Sequence, residues 1–421
     1  MFIQNLGYSW SSEAGAGNAV LLRASGQDIE AALRRDQPLE DVLFDPQLYF
    51  LDLEVSPEKH PDLITKLATY PWFGIGAPGY DSDEGTRRDW AAGINEQVGK
   101  YWGKRDDPTN DWPETVRAAV EFQVRFQARA VILPATLIAD PETDLAGDLQ
   151  RLDEAVDVAR KMTDLPLYAS VPLEEGAIKH RDARANSLVE ALADAISARE
   201  QLAGAYVPLA QLSMPKDRIT NRKVVSALLQ LSRKLGREAG LKVIMNFIDG
   251  LGALCVAAGA TAYGTGYKQK SRRLSPVDYK TRKGGSPLPK FHSLSLFLDF
   301  YPERDLERLR DQKLLRYIAR DKTPAAAPLL AALRAGANTN TVAPWEERKG
   351  NTPAAESHYA QVHGSYKSRV ASFEDALTWV QEAEAAWLYL QERFKEDPLD
   401  AAEGAHLAPW RAAMEELAAE E

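Results

Sequence analysis

The sequence predicts an α/β protein whose first two-thirds form a (β/α)8 TIM-like barrel, followed by a C-terminal helical extension. Short β-type runs alternate with long helical patterns, which is the signature of βαβ units and a parallel sheet. Most of the runs are continuously apolar, as expected where both faces of a sheet are covered. Eight such runs can be counted. At 421 residues the chain exceeds a single barrel, which runs to about 250 residues. The economical division is a barrel at 1–290 with an insertion at 78–128, then a helical unit at 291–421. Six or seven closed units would instead make an open doubly wound sheet, which is the alternative architecture.

The predicted strands are AVLLR (19–23), QLYFLDL (47–53), WFGIG (72–76), RAVILP (129–134), LPLYASV (165–171), GAYVPL (204–209), KVIMNF (242–247) and TAYGTG (261–266). Between them, LQRLDEAVDVARKM (149–162) and NSLVEALADAISAREQLA (186–203) place apolar residues at three- and four-residue spacing, so each turns one face to the sheet. Asn221 is placed to cap the next helix, and Gly236 and Gly240 to weaken and then end it. Strand–helix–strand order is clear from about 129 to 266 and blurred earlier, where 78–128 includes the polar segment GKRDDPTNDWP. After 291 the β signal disappears, and ERDLERLRDQKLLRYIAR, PLLAALRAG and SFEDALTWVQEAEAAWLYLQERF read as helices.

Composition narrows the function classes. With 45% hydrophobic and 27% charged residues the chain has ordinary globular composition. It has no apolar run of the roughly 18 residues needed to span a bilayer, and its N-terminal residues lack the basic and apolar regions of a signal peptide. A cytoplasmic location and no membrane partner are the expectation. The single cysteine, Cys255, excludes an internal disulfide and multi-cysteine zinc or iron–sulfur sites. In LGALCVAAGA it reads as a small buried hydrophobe. The six histidines offer no ligand spacing, and His358 and His363 stand five apart, so neither a metal nor any other cofactor is expected. Trp102 and Trp112 flank the insertion loop and have two readings, packing residues or exposed aromatics that stack on bases.

Charge is unevenly distributed. The chain carries a net −10, yet residues 268–290 hold Lys268, Lys270, Arg272, Arg273, Lys280, Arg282, Lys283 and Lys290 against Asp278 alone. The last 51 residues reverse this, with thirteen acidic residues against three basic. In a (β/α)8 barrel, ligands lie at the C-terminal ends of the strands, and phosphates often settle beside strands seven and eight. There the sequence places Gly250 and Gly252 at a helix start, where free N–H groups and the helix dipole favour an anion. Gly264 and Gly266 permit close backbone approach, and Lys268, Lys270, Arg272 and Arg273 follow at once. The competing reading is that these glycines allow tight packing and the basic run is a solvated loop. Asp52 and Glu54 lie two apart on a predicted strand and so point the same way. With Asp249 they are the candidate catalytic acid, base and charge-stabilising groups. Here the competing reading is a structural salt bridge, for instance to Arg23.

The succession of strand, glycine turn, helix, AAGATAYGTG and basic run resembles the end of the barrel in tRNA-guanine transglycosylases and their DNA-modifying relatives. ESHYAQVHGSYKSR is similar to the helical region that follows that family's zinc site. The resemblance covers 240–275 and 355–370. It implies an aspartate nucleophile on the last barrel strand and a basic loop touching nucleic acid. This chain has Gly264 or Thr265 at the nucleophile's position and lacks the zinc cysteines, so what the resemblance implies is nucleic-acid binding more than base exchange.

Three functions are therefore expected, in order. The first is a barrel that binds a phosphate-bearing ligand, nucleic acid ahead of a free metabolite, because the basic stretch is longer than one phosphate requires. The second is an enzyme acting on a small phosphorylated or glycosidic substrate through Asp52, Glu54 and Asp249. The third is a non-catalytic scaffold or adaptor in which the basic loop meets an acidic protein partner or the tail of a second copy in a homo-oligomer.

Overall fold

The structure, a computed structural model, describes residues 1–6, 19–21, 42–68, 70–73, 109–179, 182–212, 218–280, 288–346, 352–366, 370–401 and 404–420. Its centre is a parallel sheet curled into a half-barrel and surrounded by helices. In chain order the strands are β1 (Phe2–Leu6), β2 (Ala19–Leu21), β3 (Val42–Phe44), β4 (Val131–Ile132), β5 (Leu167–Ser170), β6 (Leu173–Glu174), β7 (Leu202–Ala210), β8 (Lys242–Asn246) and β9 (Ala262–Thr265). They follow the spatial order β3-β2-β1-β9-β8-β7-β5-β4, with β6 beside β7. Every pairing is parallel, and the register sets Asn246 of β8 beside Gly264 of β9. At the ends of this path the Arg129 N–H donates to the Val42 carbonyl across 3.1 Å.

The strand assignment differs from the sequence expectation at the N-terminal end. β1 is a strand that apolar periodicity passes over, because Gln4 and Asn5 interrupt it. The third strand is Val42–Phe44, whereas the expected strand 47–53 holds the 3-10 turn Leu48–Leu51 and the expected strand 72–76 starts in the 3-10 turn Pro71–Phe73, its residues 74–76 lying outside the described residues. Gln47, with φ at 56°, breaks the extended chain just before the first turn. Pro71 begins the second without an N–H to give a ladder. Their aromatic residues are buried all the same: Trp72 Nε1 donates to Pro46 O (3.0 Å) and its ring stacks on Tyr70 at 4.4 Å between centroids.

Helix signals were more faithful. Asn221 Oδ1 accepts from the N–H groups of Lys223 and Val224 at the start of Arg222–Ser232. Gly240, at φ 71°, turns the chain into β8 in a conformation that favours glycine. Trp112 is buried as the first residue of a helix, Trp112–Arg125, and donates to Arg151 O at 2.8 Å. Trp102 lies outside the described residues.

β structure does not end at 291. Phe291–Ser293 (β10) and Leu298–Phe300 (β11) form an antiparallel hairpin in which His292 faces Asp299. Helix Pro353–Gly364 packs on this hairpin and on β1 and β9: Phe2 stacks on His363, and the terminal amine of Met1 donates to the Tyr366 hydroxyl. Helix Leu407–Ala419 lies along Arg222–Ser232, where Trp410 Nε1 donates to Ile219 O at 2.8 Å.

A polar chain runs through the interior of the sheet. Asn5 Nδ2 donates to Asn246 Oδ1 (2.6 Å), Asn246 Nδ2 to the Tyr206 hydroxyl (2.5 Å), and Tyr206 to Asp45 Oδ2 (2.7 Å), which also accepts from Tyr49 (2.6 Å). All five residues are buried. A Cβ at position 264 would lie 2.4 Å from Asn246 Oδ1, so the glycine there is what makes room for this chain.

Candidate functional site

Five segments converge at the C-terminal ends of β7, β8 and β9. After β8 the backbone takes two left-handed non-glycine conformations, Phe247 at φ 63° and Asp249 at φ 48°. Such residues are costly and cluster at functional sites. The second of them aims the Asp249 carboxylate across the sheet end. The turn after β9 supplies Arg272, and the β10–β11 hairpin supplies His292 and Asp299 as a directly opposed pair. Helix Pro353–Gly364 presents Tyr359 and His363, one turn apart and therefore on one face. Arg218, ahead of the Asn221-capped helix, completes the group.

The contacts are close and the groups are buried. Tyr359 donates to Asp249 Oδ1 at 2.6 Å, and its hydroxyl lies 2.8 Å from Thr265 Oγ1. Arg272 Nη1 is 2.5 Å from Asp299 Oδ2 and 3.7 Å from Asp249 Oδ2, with its guanidinium over the Tyr359 ring at 4.6 Å. Arg218 Nε is 3.3 Å from Asp249 Oδ2, and its Nη2 is 3.7 Å from Asp299 Oδ2. His292 Nδ1 donates to Asp299 Oδ1 at 2.7 Å. His363 Nδ1 lies 2.8 Å from the Tyr263 hydroxyl, and the two imidazoles stack with centroids 4.9 Å apart.

This environment separates the titrations. Burial alone would raise the Asp249 and Asp299 carboxyls, but the Arg272 and Arg218 guanidiniums overcome it and hold both well below the usual carboxylate range. Burial, reinforced by His292, keeps His363 neutral far below its ordinary value. Burial, with the neighbouring Asp249 carboxylate, keeps Tyr359 protonated.

Arg218, Asp249, Arg272 and Asp299 of the cluster line an open cleft together with Gln211 and Lys290, while His292, Tyr359 and His363 are not among its lining residues. Several atoms around it are buried without a hydrogen-bond partner: Nε and Nη2 of Arg218, Nε of Arg272, Oδ2 of Asp249, and Nε2 of His292 and of His363. Orphaned buried polar atoms are uncommon and call for an explanation, and here they share one location.

Of the residues singled out from sequence, Asp249 and Arg272 lie in this cluster. Asp52 and Glu54 do not. Asp52 ends a 3-10 turn, accepts from Leu137 N–H at 2.9 Å, and has Asp148 and Arg151 as its charged neighbours; Glu54 is exposed. Their expected two-residue alternation on a strand fails because there is no strand.

The glycines are places of close packing. A Cβ on Gly250 would stand 2.8 Å from Phe297, and one on Gly252 2.4 Å from Tyr263. One on Gly266 would stand 2.6 Å from Ser271 Cβ. Arg273 is buried against Asp278, Nη2 to Oδ2 at 2.6 Å. Lys268 Nζ lies 3.7 Å from Glu356, and Lys270 Nζ 5.6 Å from the centre of the Tyr279 ring. Among the described residues of the basic run, Arg272 and Arg273 are thus neutralised by the protein's own carboxylates. Arg282 and Lys283 lie outside the described residues.

Sequence spacing missed His292, Asp299, Tyr359, His363 and Arg218. The pair Tyr359/His363 carried a signal, a four-residue spacing, but the distance of His292 along the chain hid the third partner. Comparisons with protein-family models, with curated proteins and with solved structures find no match to this chain.

Proposed function

We propose that the cleft at the ends of β7, β8 and β9 binds a small anionic ligand, phosphate- or carboxylate-bearing, and that this is where the protein performs its chemistry. Arg218 carries the reading. The residue lines the cleft with its side chain only 9% exposed, and its Nε and Nη2, in ion-pair range of Asp249 (3.3 Å) and Asp299 (3.7 Å), make no hydrogen bond. A buried guanidinium is a strong, geometrically specific anion receptor. Lys290, with Nζ 5.0 Å from the centre of the Tyr301 ring, adds a further cation to the same lining. The pairing of Arg272 and Arg273 with internal carboxylates favours a small ligand over nucleic acid, the wider of the two sequence-level expectations.

The same reading includes closure of the sheet into an eight-stranded barrel, with β6 outside the ring. Its support is the Arg129–Val42 hydrogen bond between the strands at the two ends of the path. The cleft then occupies the mouth position at which barrel enzymes place their active sites. Among the described residues no helix is long and apolar enough to cross a membrane, and a cytoplasmic location belongs to the proposal. Kinship with transglycosylase-type barrels remains a reading of residues 240–275 and 355–370; of Gly264 and Thr265, the two candidates for the nucleophile's position, Thr265 has its hydroxyl beside Tyr359.

Calorimetric titration with inorganic phosphate and pyrophosphate tests the assignment. A hydrogen bond to a charged group contributes about 1.5–3 kcal/mol, so Arg218→Met should weaken binding by roughly 10- to 100-fold. Absence of saturable binding by the wild-type chain would overturn the reading. So would retention of an oligonucleotide that the paired substitution Lys268→Glu, Lys270→Glu abolishes and Arg218→Met leaves untouched, since that outcome assigns the surface to nucleic acid.

A further inference from the structure

The orphaned atoms of the cluster divide into two kinds. Those on Arg218 and Arg272 are donors and suit an anion. Those on Asp249, His292 and His363 are oxygen and imidazole nitrogen, the donor set of a cation. One ligating atom from each of these three residues lies within 4.8 Å of the other two, and all three residues are buried. We propose that Asp249, which lines the cleft, and the buried His292 and His363 bind a divalent first-row transition metal.

Two histidines and one carboxylate are a frequent catalytic set for zinc, with a fourth position left for water or substrate, and for non-haem iron. Bonds of about 2.0–2.2 Å to one ion require separations near 3–4 Å between ligand atoms, so a modest inward rotation of the side chains completes the site. Their outer contacts already orient them. Asp299 holds His292 by Nδ1–H, which leaves Nε2 without a hydrogen-bond partner. The Tyr263 hydroxyl holds His363 at Nδ1, and with that nitrogen protonated its Nε2 is likewise free. Tyr359 anchors the Asp249 carboxylate. A carboxylate behind a metal-binding imidazole, as Asp299 stands behind His292, is common in such sites.

The charge balance decides what accompanies the metal. Asp249 and Asp299 are matched by Arg218 and Arg272, so with neutral histidines the buried cluster has no net charge before a cation enters. A divalent ion adds two positive charges to this desolvated place, beside two guanidiniums. An anion in the cleft offsets them, and metal and anion should therefore bind with positive coupling. This coupling rests on the anion reading proposed above; the metal site does not.

The experiment uses the full chain, stripped with a chelator and titrated with Co2+ and with Zn2+, with and without inorganic phosphate. Calorimetry gives the stoichiometry, and the visible bands of Co2+ report imidazole coordination. One equivalent should bind, and Asp249→Asn, His292→Gln and His363→Gln should each abolish stoichiometric binding. Asp299→Asn, which touches only His292 and the arginines, should weaken it about 10- to 100-fold. Circular dichroism identifies a variant that fails to fold, and Asp299→Asn or His292→Gln then decides. No stoichiometric uptake by the wild-type chain, or uptake that folded Asp249→Asn and His292→Gln variants retain, overturns the metal site. Metal uptake that phosphate does not strengthen, with no phosphate binding of its own, sinks the anion reading and leaves the metal site standing. Saturable phosphate binding without any metal uptake does the reverse.

Discussion

Asp45 gives a prediction whose size follows from the structure. It follows β3, is fully buried, and its carboxylate accepts from the Tyr49 and Tyr206 hydroxyls and from the Gln47 N–H at 3.0 Å. Burial raises its carboxyl from 3.8 to about 6, against the opposing pull of those neutral hydrogen bonds. Between these two values the folded state holds a proton that the unfolded chain has released. Stability from this group is therefore fully present below about 3.8 and falls as pH rises to about 6, then stays level. At about 1.4 kcal/mol for each pH unit the loss is about 3 kcal/mol. Asp45→Asn removes the titration. The amide can accept from Gln47 and donate to the tyrosine oxygens, at a fixed cost that does not vary with pH. Urea denaturation followed by tryptophan fluorescence at several values from pH 4 to 7.5 should show the wild-type stability dropping relative to the variant by about that amount. Parallel pH profiles for the two proteins would refute the reasoning.

Two further outcomes follow from the packing and the charges. Gly252→Ala forces a methyl to within 2.4 Å of the Tyr263 ring and should destabilise by about 1–3 kcal/mol; Gly364→Ala, with nothing within 4 Å, should be neutral or stabilise by up to about 1 kcal/mol. Chemical denaturation of both separates the close-packed glycine from the open one, and equal effects would contradict the geometry. Because the arginines hold the Asp249 and Asp299 carboxyls below the usual range, their contribution is present above about pH 4 and is lost as pH falls through their folded values. Asp299→Asn should flatten the acid limb of the thermal-stability curve, and an unchanged limb would count against the ion pairs.

Much of the sheet was legible because its later strands obey a simple rule. From 129 to 266 the apolar runs are covered on both faces, separated by capped helices, and β4, β5, β7, β8 and β9 fall where periodicity puts them. Cys255 is also as expected, buried, with burial pushing its thiol up to about 12. Of the N-terminal strands, β2 falls within the expected run 19–23, while β1 was illegible for a physical reason. Asn5 points into the sheet to bond Asn246, so a polar residue occupies a position that pattern reading reserves for apolar ones. Conversely, Tyr49, Phe50, Trp72 and Phe73 look like strand residues because they are buried, although they sit on turns. Hydrophobicity reports burial, and only its period reports secondary structure. The candidate site was half legible. Asp249 and Arg272 are local to the end of β8 and β9, while His292, Asp299, Tyr359 and His363 arrive from a hairpin and a helix that no local pattern joins.

That convergence bears on why the cluster exists. Buried ion pairs are poor stabilisers, since the desolvation of both partners offsets most of their attraction and apolar residues of similar size often serve a fold as well or better. A cluster of two arginines and two aspartates at the strand ends is therefore an expensive way to fill space. It is made more so by orphaned nitrogens and by the left-handed backbone at Asp249. Fully satisfied, such a network would rigidify the core; left partly open, it is held ready for groups that complete it. The donors left over on Arg218 at the cleft and the imidazole nitrogens left over on His292 and His363 suit opposite charges. An anion alone would leave the imidazoles unsatisfied and a metal alone would add charge beside two guanidiniums, which is why the two proposed ligands are expected to bind with positive coupling.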